Sequence, residues 1–409
     1  MLEASSRQGR LPVFLALSLT TGLAVGVMSI TIPFYALSLS ATPADVGLIR
    51  AASGIGSLLV VIPAGFVVDR IGARWAYHLG SLADMICVLS FRLVSNPGQL
   101  AALGFIDSGF RSLGFNAVTA IFYNALPRFC AKRVGWHKGA LSIGLSFLGP
   151  VLAGTLLGGG SFDVVFATVI GLMVLANLLM TQIDTPPPRP RQAERLTAGA
   201  ARGVSELWSL ARQPYVALCL ATETLVTATF TAFSTFIIVL AVQDLHLNSA
   251  TASLLSGSEG ATFIVAVFFA GALVQRLSPR GTLLAGATAA GGSLIGFAVT
   301  AFVPLLFSFA LTLGFGLGLL NLVTTTCAGT LVGGKGRAVS LFMASASLGG
   351  ASGPAMAGIL AGWLGIQAAF LVFVPLYGLL AAAMLWRTRL PRSEDIGRRS
   401  VSSVLVEEV

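Results

Sequence analysis

Seven ionisable side chains lie within stretches of sequence that are otherwise apolar. They are Arg50, Asp84, Arg92, Asp107, Arg111, Glu223 and Glu259. Placing such a group in a bilayer costs about 2.5–3.5 kcal/mol on insertion scales, and the group usually faces the protein interior. Buried carboxyl groups are the usual proton carriers of membrane proteins, and guanidinium groups bind anions. These residue types therefore indicate a protein that can carry protons and bind anions.

Asp107 and Arg111 are four residues apart, so a helix would place them on one face. Two interpretations of the pair stay open. Protonation of Asp107 would release Arg111 to an anionic substrate, whereas a permanent ion pair would only neutralise both charges. Asp84 belongs to another segment, and we expect it to pair with a neighbour such as Arg50.

Glu223 has no basic residue within one helical turn, and Thr227, Thr231 and Ser234 follow it at helical spacing. A buried carboxyl group without a basic partner holds a proton more readily than an exposed one. We interpret Glu223 as the group that carries a coupling proton, with Asp107 and Glu259 as further candidates. The alternative for Glu223 is a hydrated position with a structural role.

The elements that position these groups are predicted to be membrane-spanning helices. The chain is 55% apolar and 10% charged, with a mean hydropathy of +0.87, which excludes a disordered or soluble protein. A helix needs about 20 apolar residues to cross a bilayer. The sequence supplies twelve such runs, near 11–39, 46–68, 75–95, 98–124, 137–157, 162–181, 214–242, 249–274, 281–302, 304–331, 338–362 and 366–386. We therefore predict an all-α integral membrane protein with twelve transmembrane helices.

The basic residues are concentrated on one side of this predicted topology. Of 25 Lys and Arg residues, 22 fall in the even-numbered loops and the two tails. The three exceptions are Arg50, Arg92 and Arg111. This positive-inside bias predicts a multi-pass plasma-membrane protein with both termini in the cytoplasm, and the short loops favour a bacterial inner membrane. The net charge of +9 therefore sets orientation, and we expect no nucleic-acid partner.

Two motifs recur along the chain. Gly65, Arg70 and Arg74 are repeated 206 residues later as Gly271, Arg276 and Arg280. The run from Gly149 to Gly154 is repeated 204 residues later as Gly353 to Gly358. We predict a six-helix bundle at 1–183, a cytoplasmic linker at 184–213, a second six-helix bundle at 214–390 and a cytoplasmic tail at 391–409. A duplicated bundle of this kind commonly encloses a substrate path between its halves.

The run Gly65–Arg74 resembles the signature between helices 2 and 3 of the major facilitator superfamily, and the two six-helix halves agree with that family. The resemblance implies a conformational gate at Gly65, Asp69, Arg70, Gly72 and Arg74. The alternative is that Arg70 and Arg74 only mark the cytoplasmic boundary.

Gly149, Pro150 and Gly154 resemble the antiporter signature of exporting members, with Gly353 and Pro354 as the second copy, and this favours export. The resemblance also implies that helices 1, 4, 7 and 10 line a central cavity. The substrate-cavity candidates are Tyr35, Arg111, Asn116, Thr119, Tyr123, Thr227, Asn321, Thr324 and Thr325.

We therefore expect a proton-coupled secondary transporter that exports a small amphipathic molecule or metabolite by alternating access. A proton-coupled importer and a non-transporting membrane sensor or scaffold are the alternatives. No motif indicates an enzyme, a cofactor or a metal site. The expected partners are a small-molecule substrate, protons and membrane lipids, and the expected state is a monomer.

Overall fold

The computed structural model describes residues 10–125, 139–183, 211–269, 278–330 and 335–386, and every regular element in these ranges is helical. The first six helices are α1 (Arg10–Ser38), α2 (Pro43–Ile71), α3 (Ala73–Ser90), α4 (Pro97–Ala125), α5 (Gly139–Gly158) and α6 (Phe162–Thr181). The last six are α7 (Pro214–Val239), α8 (Ser249–Phe269), α9 (Pro279–Val299), α10 (Val303–Thr330), α11 (Lys335–Leu364) and α12 (Val374–Trp386).

Nine of the described helical segments are long and apolar enough to cross a membrane, and for α12 this segment is Ala368–Leu385, which includes the short helix Ala368–Leu371 before it. The other three are α3, α4 and α11. Asp84 lies in α3, and Asp107 and Arg111 lie in α4. Two of these three helices therefore contain three of the seven ionisable residues named in the sequence analysis. The all-helical membrane fold is confirmed, while the crossing of the membrane by all twelve helices stays a prediction.

Local chemistry explains where several helices begin and end. The helix α2 begins three residues earlier than predicted because Thr42 and Asp45 form a capping box at its start. Gly72 ends α2 with a φ of 87°, a left-handed conformation that glycine adopts without strain. The predicted division between the ninth and tenth segments is also found, with α10 beginning at Val303 just before Pro304.

Proline interrupts two of the helices. In α5, residues Ile143–Leu148 form a π-helical turn immediately before Pro150, and the Gly149 N–H bonds the carbonyl of Gly144. Pro150 has no N–H to offer the carbonyl of Ser146, and that carbonyl lies against Gly260 of α8. Before α12, a short helix at Ala368–Leu371 stops and the chain restarts at Val374, because Pro375 likewise cannot bond back to Leu371.

Helices α1–α6 and α7–α12 contact each other through two equivalent helix pairs. α2 packs against α11, and α5 packs against α8. In the first pair a Cβ on Gly47 would lie 2.7 Å from the Cα of Gly358, and in the second Gly154 lies against the side chain of Ser253. These contacts need small residues because the backbones approach so closely. Both lie near the end of the bundle that the charge bias predicts to be outer.

Candidate functional site

Glu223 lies on α7 at the boundary with α10, and its side chain is half-buried. Thr324 of α10 donates its hydroxyl to Glu223 Oε2 at 2.5 Å, and Asn321 Nδ2 lies 3.4 Å from Oε1 and 3.3 Å from Oε2. Among the described residues, no Lys or Arg forms an ion pair with Glu223. Two helices predicted to line the cavity thus meet at an acid held by neutral donors.

Two further cavity candidates lie on the same pair of helices. Thr227 is half-buried one turn beyond Glu223, and its carbonyl accepts a hydrogen bond from Thr231 at 2.8 Å. Thr325 is exposed and donates to the carbonyl of Asn321 at 2.6 Å. Five of the predicted residues therefore lie on this pair of helices, and three of them, Glu223, Asn321 and Thr324, are joined by hydrogen bonds.

Asp107 and Arg111 of α4 form the ion pair that their spacing predicts. The expected pairing of Asp84 with Arg50 was wrong, because Asp84 Oδ1 of α3 lies 3.5 Å from Arg111 instead. Asp84 and Asp107 are both buried, and each has one oxygen without a hydrogen-bond partner. α3 and α4 pack together, and only that packing brings the second acid to Arg111.

Arg50 of α2 contacts the opposite half of the molecule. Its Nε donates to the hydroxyl of Thr235 on α7 at 3.1 Å. Within the described part of the chain, no carboxylate lies within ion-pair distance of Arg50. A guanidinium without a carboxylate partner can accept an anion from outside the protein. No sequence pattern indicates the contact with Thr235, since 185 residues separate the two.

Glu259 is the most buried acid among the candidates, with an exposed fraction of 1%. It lies on α8, where Gly314 of α10 packs against its backbone carbonyl. Its Oε1 has no hydrogen-bond partner. Glu259 is therefore enclosed by protein, and the structure places it apart from the bonds that join Glu223 to α10.

Three other cavity candidates are Tyr35, Asn116 and Tyr123. The first two form hydrogen bonds within the first six helices. The Tyr35 hydroxyl donates to the carbonyl oxygens of Phe91 at 2.9 Å and Val94 at 3.3 Å, which ties α1 to the end of α3. Asn116 is half-buried and donates to the carbonyl of Ser112 within α4 at 2.8 Å. The side chain of Tyr123 lies outside the described part.

The residues of the predicted gate lie at the junction of α2 and α3. Gly65 and Arg70 are exposed, and no atom lies within 4 Å of a Cβ built on Gly65. The side chain of Asp69 lies outside the described part. Arg74 donates to the carbonyl oxygens of Thr181 and Ile183 at the end of α6. The described bonds of Arg74 therefore join two helices of the same half.

The two Gly-Pro motifs occupy equivalent places in the fold. Gly149 packs against Gly26 of α1, and Gly353 packs against Ala228 of α7, so each motif joins a helix of its own half. Just beyond them, Gly154 contacts α8 and Gly358 contacts Gly47 of α2, across the two halves. The Ser249 hydroxyl also donates to the carbonyl of Gly154 at 3.1 Å. Each Gly-Pro motif therefore packs against one helix of its own half and one helix of the other half.

Comparison with known proteins shows which family this chain matches and which solved structures share its fold. The family model described as Major Facilitator Superfamily matches residues 14–334 and 224–407. Among solved structures, a point mutant of the nucleoside transporter NupG has a TM-score of 0.76 at 16% identity, covering 93% of this chain and 100% of NupG. The peptide transporter POT in complex with sulfate has a TM-score of 0.72 at 14% identity, covering 95% of each chain. These likenesses show the fold.

Curated relatives match a smaller part of the chain. A probable nitrate transporter, NarT, of Staphylococcus epidermidis is 25% identical over 181 residues, which is 42% of this chain and 45% of NarT. NarT of Staphylococcus aureus is 26% identical over 149 residues, 34% of this chain and 37% of the relative. The matched part spans less than half of these relatives. From the family match and the fold together, the chain is a multi-pass membrane protein that belongs to the major facilitator superfamily.

Proposed function

We propose that the chain is a proton-coupled secondary transporter that works by alternating access, with Glu223 as the group that carries the coupling proton. The observation that carries this proposal is the position of Glu223 between α7 and α10, where Thr324 and Asn321 donate to its carboxylate and no described basic residue pairs with it. These neutral donors hold the side chain in place and bring no charge of their own, unlike a Lys or Arg partner. A carboxyl group in that setting can gain and lose a proton as the cavity changes access.

The proposed direction is export of a small amphipathic molecule or metabolite. The support is the Gly149–Gly154 run, which resembles the signature of exporting family members. The π-helical turn before Pro150, and the N–H that Pro150 lacks, leave α5 less regularly bonded at that point. A helix interrupted there bends more readily than a continuous one.

A second candidate is import of a small inorganic anion such as nitrate. Two observations favour it: the similarity to proteins named as probable nitrate transporters, and Arg50, which bonds Thr235 and has no carboxylate partner among the described residues. Arg50 would bind the anion at the contact between α2 and α7. A substrate anion would then supply the countercharge that the described residues around Arg50 do not.

The proposed placement is a bacterial inner membrane, with a monomer as the working unit and both termini in the cytoplasm. Single cysteines introduced into 1–9 and 391–409, in a cysteine-free background, test the orientation. A membrane-impermeant maleimide should label them in inverted vesicles and not in intact spheroplasts. The reverse pattern would overturn the proposed orientation.

The substrate and its direction can be found in one comparison. Metabolites are measured in cells and spent medium of a deletion strain and its complemented parent, with nitrate measured alongside them. Export predicts a compound that accumulates inside the deletion strain and is missing from its medium. A compound left in the medium and depleted inside supports import, and nitrate in that position supports the second candidate. No difference at all would support a non-transporting sensor or scaffold.

The role of Glu223 is tested in proteoliposomes with the substrate so identified. Glu223→Gln should lose proton-driven accumulation yet keep exchange of labelled for unlabelled substrate, because exchange needs no net proton movement. Asp244→Asn, at an exposed acid at the other end of α7, is the matched control and should retain both. Proton-driven accumulation that survives in Glu223→Gln would remove Glu223 from the mechanism.

A further inference from the structure

We propose that Asp84 and Asp107 together hold one exchangeable proton beside Arg111, at a site inside the first six helices. This trio consists of one guanidinium and two carboxyl groups, from α3 and α4. The proton is held by the pair, with one carboxyl group donating it to the other. The site is separate from Glu223, which lies on α7, and the proposal stands whatever the outcome for the function proposed above.

The first observation is the balance of charge. Arg111 supplies one positive charge, and both carboxyl groups that contact it are nearly enclosed, with exposed side-chain fractions of 9% for Asp84 and 5% for Asp107. Two ionised carboxylates would leave the trio with a net negative charge in a medium of low dielectric, which is costly. One proton on the pair restores neutrality.

The second observation is the bonding of the individual oxygens. Oδ1 of Asp107 is buried and has no hydrogen-bond partner, and the buried Oδ1 of Asp84 has only the ion-pair contact with Arg111 at 3.5 Å and no hydrogen bond. Both carboxyl groups contact the same terminal nitrogen of Arg111, which places them next to each other. A buried carboxylate oxygen without a donor is unfavourable. A proton between the two acids would provide the donor that the described side chains do not.

Other titratable groups around the trio are Arg50 of α2 and Tyr77 and Cys87 of α3. Tyr77 and Cys87 carry no charge in their ordinary protonated forms. Arg50 is a further cation on α2, and its Nε is bonded to Thr235 on α7. Arg50 forms no ion pair with either acid. Arg50 therefore does not supply the hydrogen-bond donor that the Oδ1 atoms of Asp84 and Asp107 lack.

A route to the site is also present. A cavity lies between α1, α3, α4 and α6, and the polar side chains that line it are Thr21, Tyr77, Ser81, Asp84 and Arg111. Asn177 of α6 donates to Ser81 at 2.6 Å, and the Asn177 oxygen lies 2.7 Å from Nδ1 of His78. His78 is half-buried near the end of α3 that is predicted to be cytoplasmic. The line of polar groups from His78 to Asp84 would admit protons from that side without using the path between the halves.

Infrared spectroscopy of the full-length protein in lipid nanodiscs tests the site, because a protonated carboxyl group has its own C=O stretching band. Labelling aspartate with ¹³C identifies aspartic acid bands in the unaltered protein. At about pH 8 exposed aspartates are ionised. The proposal predicts residual aspartic acid intensity that corresponds to one carboxyl group.

Variants then distinguish a shared proton from one that belongs to a single acid. Asp84→Asn and Asp107→Asn should each abolish the same band, because either change leaves one carboxylate balanced by Arg111. Glu259→Gln is the control and should leave that band unchanged. Loss of the band in only one of the two variants would show an unshared proton and overturn the proposal.

If a variant fails to fold, the ¹³C-labelled protein without substitutions still tests the proposal. Absence of any aspartic acid band at about pH 8 would mean that both acids are ionised, and the proposal would fail. The route has its own readout: after a jump in pH, Asn177→Leu should slow the appearance of the band without changing its final intensity. An unchanged rate would overturn the route through His78.

Discussion

Arg74 and Arg280 are 206 residues apart in sequence and make the same contact in the two halves of the fold. Arg74, at the start of α3, donates to the carbonyl oxygens of Thr181 and Ile183 at the end of α6. Arg280, at the start of α9, donates to the carbonyl of Leu385 near the end of α12 at 2.8 Å. A cation at this position satisfies carbonyl groups that have no partner within their own helix. The arginines of the repeated motif are therefore caps for the last helix of each half.

Replacing Arg74 by Met should lower the stability of the first six helices. A hydrogen bond to a charged group contributes about 1.5–3 kcal/mol. The bond of Arg74 to Ile183 is partly buried, whereas its bond to Thr181 is exposed. Thermal unfolding of the purified protein in detergent would measure the loss. Arg70→Met is the matched control, since Arg70 is exposed. Equal melting temperatures for the two variants would contradict the capping role.

Gly349 and Gly350 are adjacent in α11 and should respond differently to alanine. A Cβ on Gly349 would lie 2.9 Å from the backbone nitrogen of Ala228 on α7, whereas the nearest atom to a Cβ on Gly350 is 3.9 Å away, on Thr231. Overpacking costs about 1–3 kcal/mol. Gly349→Ala should therefore lower the melting temperature and Gly350→Ala should leave it nearly unchanged. The same effect from both variants would show that α7 and α11 are not in this close contact.

A disulfide across the predicted outer end should stop transport. A Cβ on Gly158 of α5 would lie 3.8 Å from the hydroxyl oxygen of Ser249 on α8, so cysteines at these two positions are placed to cross-link. Alternating access requires the halves to separate at this end, and the Gly158→Cys/Ser249→Cys pair, in a background without the native cysteines, should be inactive when oxidised and active when reduced. Gly171→Cys/Ser249→Cys is the control, since nothing lies within 4 Å of a Cβ on Gly171 of α6. Full activity of the cross-linked protein would exclude separation at this point.

Tyr377 of α12 and Thr229 of α7 should be energetically coupled. Their hydroxyl groups are joined by a buried hydrogen bond of 2.9 Å. Bonds of this kind between membrane helices contribute about 0.6 kcal/mol on average and up to about 1.7. A double-mutant cycle with Tyr377→Phe and Thr229→Val, read by unfolding in denaturant, measures that coupling. Simple additivity of the two changes would mean that the bond contributes nothing.

Sequence reasoning located much of the fold because membrane insertion depends on local properties. Runs of about 20 apolar residues and the bias of Lys and Arg are read directly along the chain. The described helices follow the predicted segments closely, and the family match confirms the resemblance first seen in Gly65–Arg74. The boundaries that differ, as at Thr42 and Pro375, depend on caps and on one missing N–H.

The amino-acid sequence by itself determined which side chains would be costly in a membrane and which of them share a helix face, as for Asp107 and Arg111. Only the tertiary structure decided their partners across helices: Asp84 lies against Arg111, Arg50 bonds Thr235, and Thr324 bonds Glu223. The physical reason is that a helix fixes neighbours three and four residues away, whereas contacts between helices depend on rotation and on how closely the backbones approach. In this protein the glycines of α5 and α11 set that approach, and they do so only once the helices that they face are in place.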